Sequence, residues 1–251
     1  MRLIIAILML SLGSAPAAVF FDGSNDYITM GTATNCGGSN FTVSCRFLQR
    51  AGGATATTGT GGINAYPLVV KLVGEADGDN RDGNYFLGVA TNRLAGDFEQ
   101  FTGGTNRPVY GLTTLSTNRW YHGALVYDGA RLVLYLDGVP DGTNTTAYLP
   151  RFDSIQHLGL GRALSSTGAQ SGAFRGVLDD VRIWDRALTP GQVRALAAGA
   201  TAQLPQPRGW YRLADFPPGD SANRVRSVSD LAGLNRGTIT NGATWIGGVT
   251  P

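Results

Sequence analysis

Glu75 and Glu99 are the only glutamates in this chain of 251 residues. A glycoside hydrolase needs two carboxyl groups at the scissile bond, one acting as acid and the other as base or nucleophile. These two glutamates lie 24 residues apart, and no E-x-D-x-E pattern places them on one strand with an aspartate between. We therefore predict a protein that is not an enzyme.

The histidines and cysteines number two each, at His122, His157, Cys36 and Cys45. A structural zinc site takes four such ligands. Both histidines lie in segments that predict strands, where a structural role is the commoner one, and we predict that the two cysteines pair with each other. A zinc site would then lack ligands. The sequence also has no G-x-S-x-G element and no phosphate-binding loop.

Cys36 and Cys45 are predicted to form a disulfide. An even number of cysteines in an oxidising compartment favours pairing, and residues 37–40 (GGSN) can turn the chain back toward the strand that carries Cys45. Closing so short a loop would stabilise the folded chain by about 2–3 kcal/mol in the chain-entropy model, so the bond would fix this loop and would not hold the whole fold together. The alternative is two unpaired thiols, with Cys45 buried and Cys36 in a loop.

Residues 75–83 (EADGDNRDG) crowd four carboxylates into one loop. Calcium prefers several oxygen ligands from carboxylates and carbonyls, so Asp77, Asp79 and Asp82 are a weaker candidate calcium site. Arg81 interrupts any EF-hand spacing. Because Asp and Gly are also the commonest turn residues, a solvated hairpin turn is the alternative.

Three tyrosines, Tyr66, Tyr110 and Tyr148, fall in or beside predicted loops. Sugars are bound by exposed aromatic rings with polar neighbours, and the Gly/Thr-rich stretch 51–62 could border such a site. A tyrosine at a strand end can instead cap the core with its hydroxyl in water. The spacing shows no cluster and no sugar specificity.

The first 17 residues are typical of a secretory signal. Arg2 precedes an apolar run over residues 3–12, and Ala15-Pro16-Ala17 forms a small-residue cleavage site. We expect cleavage near Ala17 or Ala18 and a secreted or cell-surface protein, since ten apolar residues are too few to span a bilayer. A buried strand is the alternative. A net charge of +2 without any basic run argues against nucleic acid as a partner.

The elements that must position these side chains are predicted to be short strands. The chain has 36 glycines, one lysine and only two glutamates, so residues that favour exposed helices are nearly absent. Strict alternation over residues 41–47 places Phe41, Val43, Cys45 and Phe47 on one face. Strands at 120–127 and 131–136, joined by Asp128-Gly129, form the clearest hairpin.

Further strands are predicted at 26–30, 67–72, 85–90, 93–98, 157–160 and 176–184. One short helix is expected, with Thr189 as N-cap, Pro190 at its first position, Gln192 completing a capping box and Gly199 closing it. Many short strands with regular turns predict an all-β, two-sheet sandwich.

Six segments carry a resemblance to a known family: 21–28 (FDGSNDYI), 41–44 (FTVS), 120–122 (WYH), 127–129 (YDG), 134–139 (LYLDGV) and 174–189 (FRGVLDDVRIWDRALT). Together they resemble the bacterial laminin G-like jelly-roll domains of the concanavalin A-like lectins and glucanases, and the last segment also resembles the pentraxins. The resemblance covers residues 20–199 and implies an antiparallel jelly roll. It departs at Arg46, where such domains often carry Trp.

The resemblance also implies one metal site. Asp22, Asn25 and Asp179 lie in motifs whose counterparts in these families often surround a structural calcium. We predict calcium as the one cofactor on this basis. The alternative is that Asp22 and Asp179 hydrogen-bond turn amides.

The C-terminal segments 209–213 (GWYRL) and 230–245 (DLAGLNRGTITNGATW) resemble the part that such domains usually carry before their F-D-G-x-x-D strand. Here that part comes last, after a Pro-rich linker. The block must bury Trp210, Leu213, Ile239 and Trp245. It could fold back on its own domain as a circular permutation, or complete the sandwich of the next subunit and propagate a filament.

The sequence thus predicts a signal peptide over 1–17, a jelly-roll sandwich over 18–200, a linker over 201–208 and a displaced strand block over 209–251. We predict a secreted structural or adhesive module, able to assemble with itself through the C-terminal block into extracellular fibres. The alternative is a calcium-dependent, lectin-like protein that binds surface glycans. No membrane span is expected.

Overall fold

The computed structural model describes residues 17–75, 83–215, 218–220 and 226–247. The first ten strands are β1 (Ala18–Asp22), β2 (Tyr27–Thr29), β3 (Phe41–Gln49), β4 (Ala56–Thr57), β5 (Asn64–Val70), β6 (Phe86–Ala90), β7 (Arg93–Asp97), β8 (Val109–Tyr110), β9 (Trp120–Tyr127) and β10 (Arg131–Leu136). The remaining elements are β11 (Val139–Thr145), β12 (Gly159–Leu160), β13 (Ala163–Leu164), β14 (Gln170–Ser171), β15 (Arg175–Trp184), helix α1 (Pro190–Ala197), β16 (Gly209–Tyr211), β17 (Arg226–Val228), β18 (Gly237–Thr240) and β19 (Thr244–Ile246). A short 3-10 turn spans Thr34–Cys36.

Two antiparallel sheets form a sandwich. The first has the order β11-β10-β9-β3-β15-β1-β19, and β16 also pairs with β15. The second has the order β17-β18-β2-β12-β5-β6-β7-β8, and β4 pairs with β5. The predicted all-β jelly-roll sandwich with one short helix is confirmed. Among the described residues, no helix is long and apolar enough to cross a bilayer.

The core lies between the sheets and follows the alternation of β3. Phe41, Val43, Cys45 and Phe47 are all fully buried in it. The hairpin of β9 and β10 forms as predicted, since Gly129 takes a positive φ of 94° and the Asp128 carboxylate accepts from the amides of Ala130 and Arg131. A period of two in the sequence thus becomes one apolar face of a sheet.

Helix α1 covers the outer face of the first sheet. Its capping box is complete, because Thr189 Oγ1 accepts from the Gln192 amide at 3.3 Å and Gln192 Oε1 accepts from the Thr189 amide at 2.9 Å. Val193 and Leu196 pack on Trp184. At the other end, the Arg46 guanidinium donates to the Ala197 carbonyl at 2.9 Å. The arginine that departs from the family pattern therefore binds the negative end of the helix.

The C-terminal block lies on its own chain in this structure. β16 pairs with β15, β18 pairs with β2, and β19 pairs with β1, so the block adds strands to both sheets. Leu213, Ile239 and Trp245 are fully buried in the main core, whereas Trp210 is half-buried on the outer face.

β16 and β1 occupy the same row beside β15. β16 pairs with Val181–Ile183 and β1 pairs with Arg175–Leu178, both antiparallel to β15. The end of β16 therefore points toward the beginning of β1, and the row is interrupted opposite Asp179 and Asp180. β15 has a register irregularity at this position on its other side as well, against β3.

The predicted disulfide is wrong, because Cys36 and Cys45 are both free and buried. Cys45 faces the core from β3, while Cys36 lies in the 3-10 turn and is turned toward the C-terminal block. The Asn235 side-chain amide donates to Cys36 Sγ at 3.4 Å, and the Arg208 carbonyl lies 3.8 Å from it. Burial raises the pKa of the Cys36 thiol to about 12, which makes it a poor nucleophile.

Candidate functional site

Exposed aromatic and aliphatic side chains gather where the segment between β7 and β8 meets the segment that follows β11. Tyr148, Leu149, Phe152 and Ile155 are all among the exposed large hydrophobic residues, with 46% of Tyr148 and 43% of Phe152 in contact with solvent. A concentrated apolar surface of this kind is commonly a binding site.

Two arginines stack on the aromatic rings of this surface. The Arg107 guanidinium lies 3.8 Å from the centre of the Tyr148 ring, and that of Arg151 lies 5.1 Å from the centre of the Phe101 ring. Phe101 and Phe152 stack on each other at 5.3 Å and 7°. We call the five residues Phe101, Arg107, Tyr148, Arg151 and Phe152 the aromatic patch.

Backbone hydrogen bonds hold the two segments of the aromatic patch together. The Phe101 amide donates to the Leu149 carbonyl at 2.7 Å, and the Arg151 amide donates to the Glu99 carbonyl at 2.9 Å. The Arg151 side chain also donates to the Phe101 carbonyl at 2.7 Å, and Arg107 donates to the side chain of Gln100. The backbone segments that carry the rings are thus held together before any ligand arrives, which lowers the entropy cost of binding.

A buried carboxyl group lies behind the aromatic patch. Asp97 accepts from the Arg107 amide at 2.8 Å and from the Thr58 hydroxyl at 2.6 Å. The Asn106 side chain in turn donates to the Thr58 and Thr60 carbonyls. Burial raises the pKa of Asp97 to about 7. The Gly/Thr-rich stretch 51–62 is therefore tied to the patch through Asp97.

The three tyrosines proposed from the sequence have different positions. Tyr148 is part of the aromatic patch, Tyr110 is exposed on β8 three residues after Arg107, and Tyr66 is half-buried against the core. Sequence reasoning missed Phe101, Arg107, Arg151 and Phe152. The signal that could have found them is an aromatic residue next to or near an arginine in two loops, at 101–107 and 148–152.

The three predicted calcium ligands are not brought together. In the pairing of β1 with β15, Asp22 lies opposite Arg175, and Asp179 lies four residues further along β15, roughly 13 Å away at about 3.3 Å per residue. Asp22 instead accepts from the Ser24 amide at 2.7 Å, and Asp179 accepts from the Asp180 amide at 2.8 Å. Both contacts are of the kind expected under the alternative.

The weaker calcium candidates Asp77, Asp79 and Asp82 lie outside the described residues. Their neighbour Glu75 is described, and it accepts from the Ser166 amide at 3.1 Å and from the Gln156 side chain at 2.9 Å. Within the described part of the chain, no three His, Cys, Asp or Glu side chains form a group that could hold a metal ion.

The other titratable residues considered from the sequence have structural surroundings. Glu99 is buried and accepts from the Gly83 amide at 3.2 Å. His122 is buried on β9, where burial and then the charge of Arg46 lower its pKa to about 4. His157 is half-buried, and burial lowers its pKa as well.

A separate cleft of about 430 Å³ opens on the outer face of the first sheet, where the row of β16 and β1 is interrupted. It is lined by Ala17, Asp179 and Asp180 together with Trp210 and several arginines. The Asp180 carboxylate accepts from Arg182 at 2.8 Å and from the Trp210 indole at 2.9 Å.

With this fold and these surfaces, the chain belongs to the concanavalin A-like lectin/glucanases superfamily, whose family model of the laminin G type matches residues 22–194. No protein of curated function matches the sequence.

Solved structures share the fold at low sequence identity. A protein from Bacteroides ovatus, provisionally assigned as carbohydrate-binding, aligns with 21% identity and a TM-score of 0.66 over 95% of this chain and 61% of its own. The CBM40 module of the Ruminococcus gnavus IT-sialidase, bound to α2,3 sialyllactose, aligns with 14% identity and a TM-score of 0.56 over 74% of this chain and 100% of its own. A pentraxin from Limulus polyphemus aligns with 18% identity and a TM-score of 0.49 over 73% of this chain and 82% of its own. The chain thus spans about three fifths of the length of the Bacteroides protein.

Proposed function

We propose that this protein binds carbohydrate at the aromatic patch. The observation that carries the proposal is the Arg107–Tyr148 pair, an exposed ring with a guanidinium fixed 3.8 Å from its centre. Support also comes from the superfamily and from the two structural neighbours with TM-scores above 0.5, whose names refer to carbohydrate binding or to a bound sugar.

The chemistry of the aromatic patch suits a sugar ring. A pyranose has one apolar face that packs on an aromatic ring, and its hydroxyl groups need donors and acceptors in fixed places. Tyr148 and Phe152 supply exposed ring surface, while the half-buried Arg107 supplies N–H donors in a planar fork. The buried Arg151 donates to the Phe101 carbonyl, pairs with Asp153 and supports the rings from behind. Guanidinium groups also bind carboxylates, so acidic sugars belong among the ligands to be tested.

The sequence-based prediction of a structural or adhesive module has less support than its alternative. The side chains that were expected to drive assembly, Leu213, Ile239 and Trp245, are buried in the core of their own chain. Trp210 is half-buried beside Arg182, whose guanidinium lies 4.2 Å from the centre of its ring. Calcium dependence stays a prediction, and light scattering of the mature protein decides between self-assembly and a monomer.

A glycan array probed with the purified protein tests the proposal. We expect a defined set of glycans to bind, and we expect Tyr148→Ala and Arg107→Ala to weaken that binding by at least tenfold, since each removes half of the stacked pair. Arg50→Ala is the matched control. The Arg50 guanidinium lies 4.9 Å from the centre of the Phe20 ring, and this stacked pair is not part of the aromatic patch. Parallel arrays with calcium and with chelator measure any metal dependence.

Two outcomes would contradict the proposal. One is an array without any bound glycan for a protein whose folding has been verified by circular dichroism. The other is binding that Arg50→Ala reduces as much as Arg107→Ala does, because the loss would then be unrelated to the patch.

A further inference from the structure

The interruption in the row of β16 and β1 leaves an unfilled position beside β15. The pairing of β1 with β15 ends at Val19 opposite Leu178. Extending that register by one residue places Ala18 level with Asp179, where the two strands are no longer paired. On its other side, Ala18 pairs with Ile246 of β19. The backbone nitrogen of Ala18 is therefore held beside β19, at the mouth of the cleft that Ala17, Asp179 and Asp180 line.

We propose that this cleft receives the α-ammonium group of a chain that begins at Ala18, and that Asp179 is its counter-ion. The proposal rests on the cleavage predicted after Ala15-Pro16-Ala17. Hydrolysis of the Ala17–Ala18 peptide bond consumes one water and yields a carboxylate on the leader and an ammonium group on Ala18. That ammonium group arises at the position level with Asp179.

Asp179 is well placed for this role because its carboxylate is otherwise little used. The Asp180 amide donates to it at 2.8 Å, and the charges of Arg46 and Arg212 act on it without forming a salt bridge among the described residues. Arg46, its cross-strand neighbour, is engaged with the Ala197 carbonyl. Asp180, in contrast, is occupied by Arg182 and Trp210.

The small residues at and just before the start of β1 suit both cleavage by a signal peptidase and burial of the new chain end. Alanine at positions 15 and 17 is what a signal peptidase recognises. Ala17, which precedes β1, and Ala18, its first residue, are also buried, with 6% and 1% exposed. Burial raises the pKa of Asp179 to about 6 although the charges of Arg46 and Arg212 act in the opposite direction. Its charged form is therefore only partly compensated, and an ammonium group beside it would stabilise that form. Cleavage before Ala18 would thereby supply the ammonium group that pairs with Asp179 in the folded protein.

A double-mutant cycle tests this proposal. The secreted protein, shown by mass spectrometry to begin at Ala18, is compared with a form extended by Gly-Ser before Ala18, each with and without Asp179→Asn. We expect Asp179→Asn to lower the unfolding midpoint in urea of the Ala18 form, equivalent to about a tenfold change in the folding equilibrium. In the extended form the change should be less than twofold. Asp22→Asn, at the far end of β1, is the control and should act equally on both forms.

Amine acylation gives a second measurement that does not depend on stability. Lys71 is the only lysine and is fully buried, so the α-amino group is the one other amine of the chain. We expect the native Ala18 form to be acylated at that amine at least tenfold more slowly than its Asp179→Asn variant. Equal acylation rates, an equal effect of Asp179→Asn on both forms, or a mature chain that begins at another residue would overturn the proposal.

Discussion

Asp97 is the residue whose burial has the clearest consequence for the aromatic patch. Its carboxyl group is fully buried and accepts from the Arg107 amide and the Thr58 hydroxyl. Burial raises its pKa from 3.8 to about 7, so the folded chain holds a proton that the unfolded chain releases between these values. The contribution of Asp97 to stability is therefore full below about pH 4 and is lost as the pH rises to about 7.

We expect the stability advantage of the wild type over Asp97→Asn to fall by on the order of 4 kcal/mol between pH 4 and pH 7. Urea unfolding at intervals across this range measures it. His122 acts in the opposite direction, because its lowered pKa costs stability as the pH falls from 6.5 to about 4. Taking the difference between wild type and variant removes that contribution. A difference that stays constant with pH would contradict the expectation.

At the residue scale, the sequence identified side chains better than their partners. The alternating core residues of β3 and the capping residues Thr189 and Gln192 are local patterns, and they are where they were predicted. The Arg107–Tyr148 pair joins residues 41 positions apart, and Cys36 is turned toward Asn235 rather than Cys45. Such contacts depend on how distant segments pack, which spacing along the chain does not reveal.

Helix α1 is the element whose local signals can be tested most directly. Its capping box satisfies backbone groups at both Thr189 and Gln192. We expect Thr189→Ala to lower the free energy of unfolding by about 1 kcal/mol, and Thr189→Ser to lower it by much less, since serine keeps the accepting oxygen. Thermal unfolding of both variants measures the effect.

Helix α1 also packs on the outer face of the first sheet. Val193 and Leu196 cover Trp184, and Arg46 binds the last turn. If both Thr189 variants lost the same stability, the loss would come from the missing methyl group or a general disturbance, and the cap would not be the cause.

The strands could be predicted from the sequence except near their ends and where they are very short. β9 and β10 have the predicted bounds, since turns close them on one side and the alternation is long. β12 is only Gly159–Leu160 where residues 157–160 were expected, because His157 bonds to the segment around Leu164 instead. Irregularities in register, such as that of β5 at Pro67, are set by the neighbouring strand.

On the scale of the whole molecule, the C-terminal block decides whether the protein is a monomer or a filament. In this structure the block fills its own sandwich through β16, β18 and β19. We expect the mature protein to be a monodisperse monomer with no more mass than the 26.4 kDa of one full chain. Light scattering over a hundredfold range of concentration measures this, because an intramolecular contact does not depend on concentration.

Fibres in negative-stain micrographs of the mature protein, or a mass that grows with concentration, would contradict this expectation. A variant ending at residue 208 is the complementary measurement. It lacks the three fully buried side chains Leu213, Ile239 and Trp245, so it should be unstable or aggregate.

The order of the strands could be predicted only in part. The resemblance located the displaced block and named the apolar residues that it must bury, but both ways of burying them satisfy the same sequence. The choice depends on whether the linker brings the block back to its own sheets. The sequence does not reveal this, because it depends on the three-dimensional path of the linker. In this structure the linker returns the block to its own first sheet, where β16 lies in line with β1 beside β15.

The pairing of β1 with β19 gives the molecule one more property. Ala18 and Ile246 are opposite residues of an antiparallel pair, so their Cα atoms are about 5 Å apart. A polypeptide that enters at residue 18 and leaves at residue 246 starts and stops at nearly the same point. Such a domain can be spliced into a surface loop of a host protein without separating the strands on either side. It could serve there as a grafted recognition module carried by an unrelated scaffold.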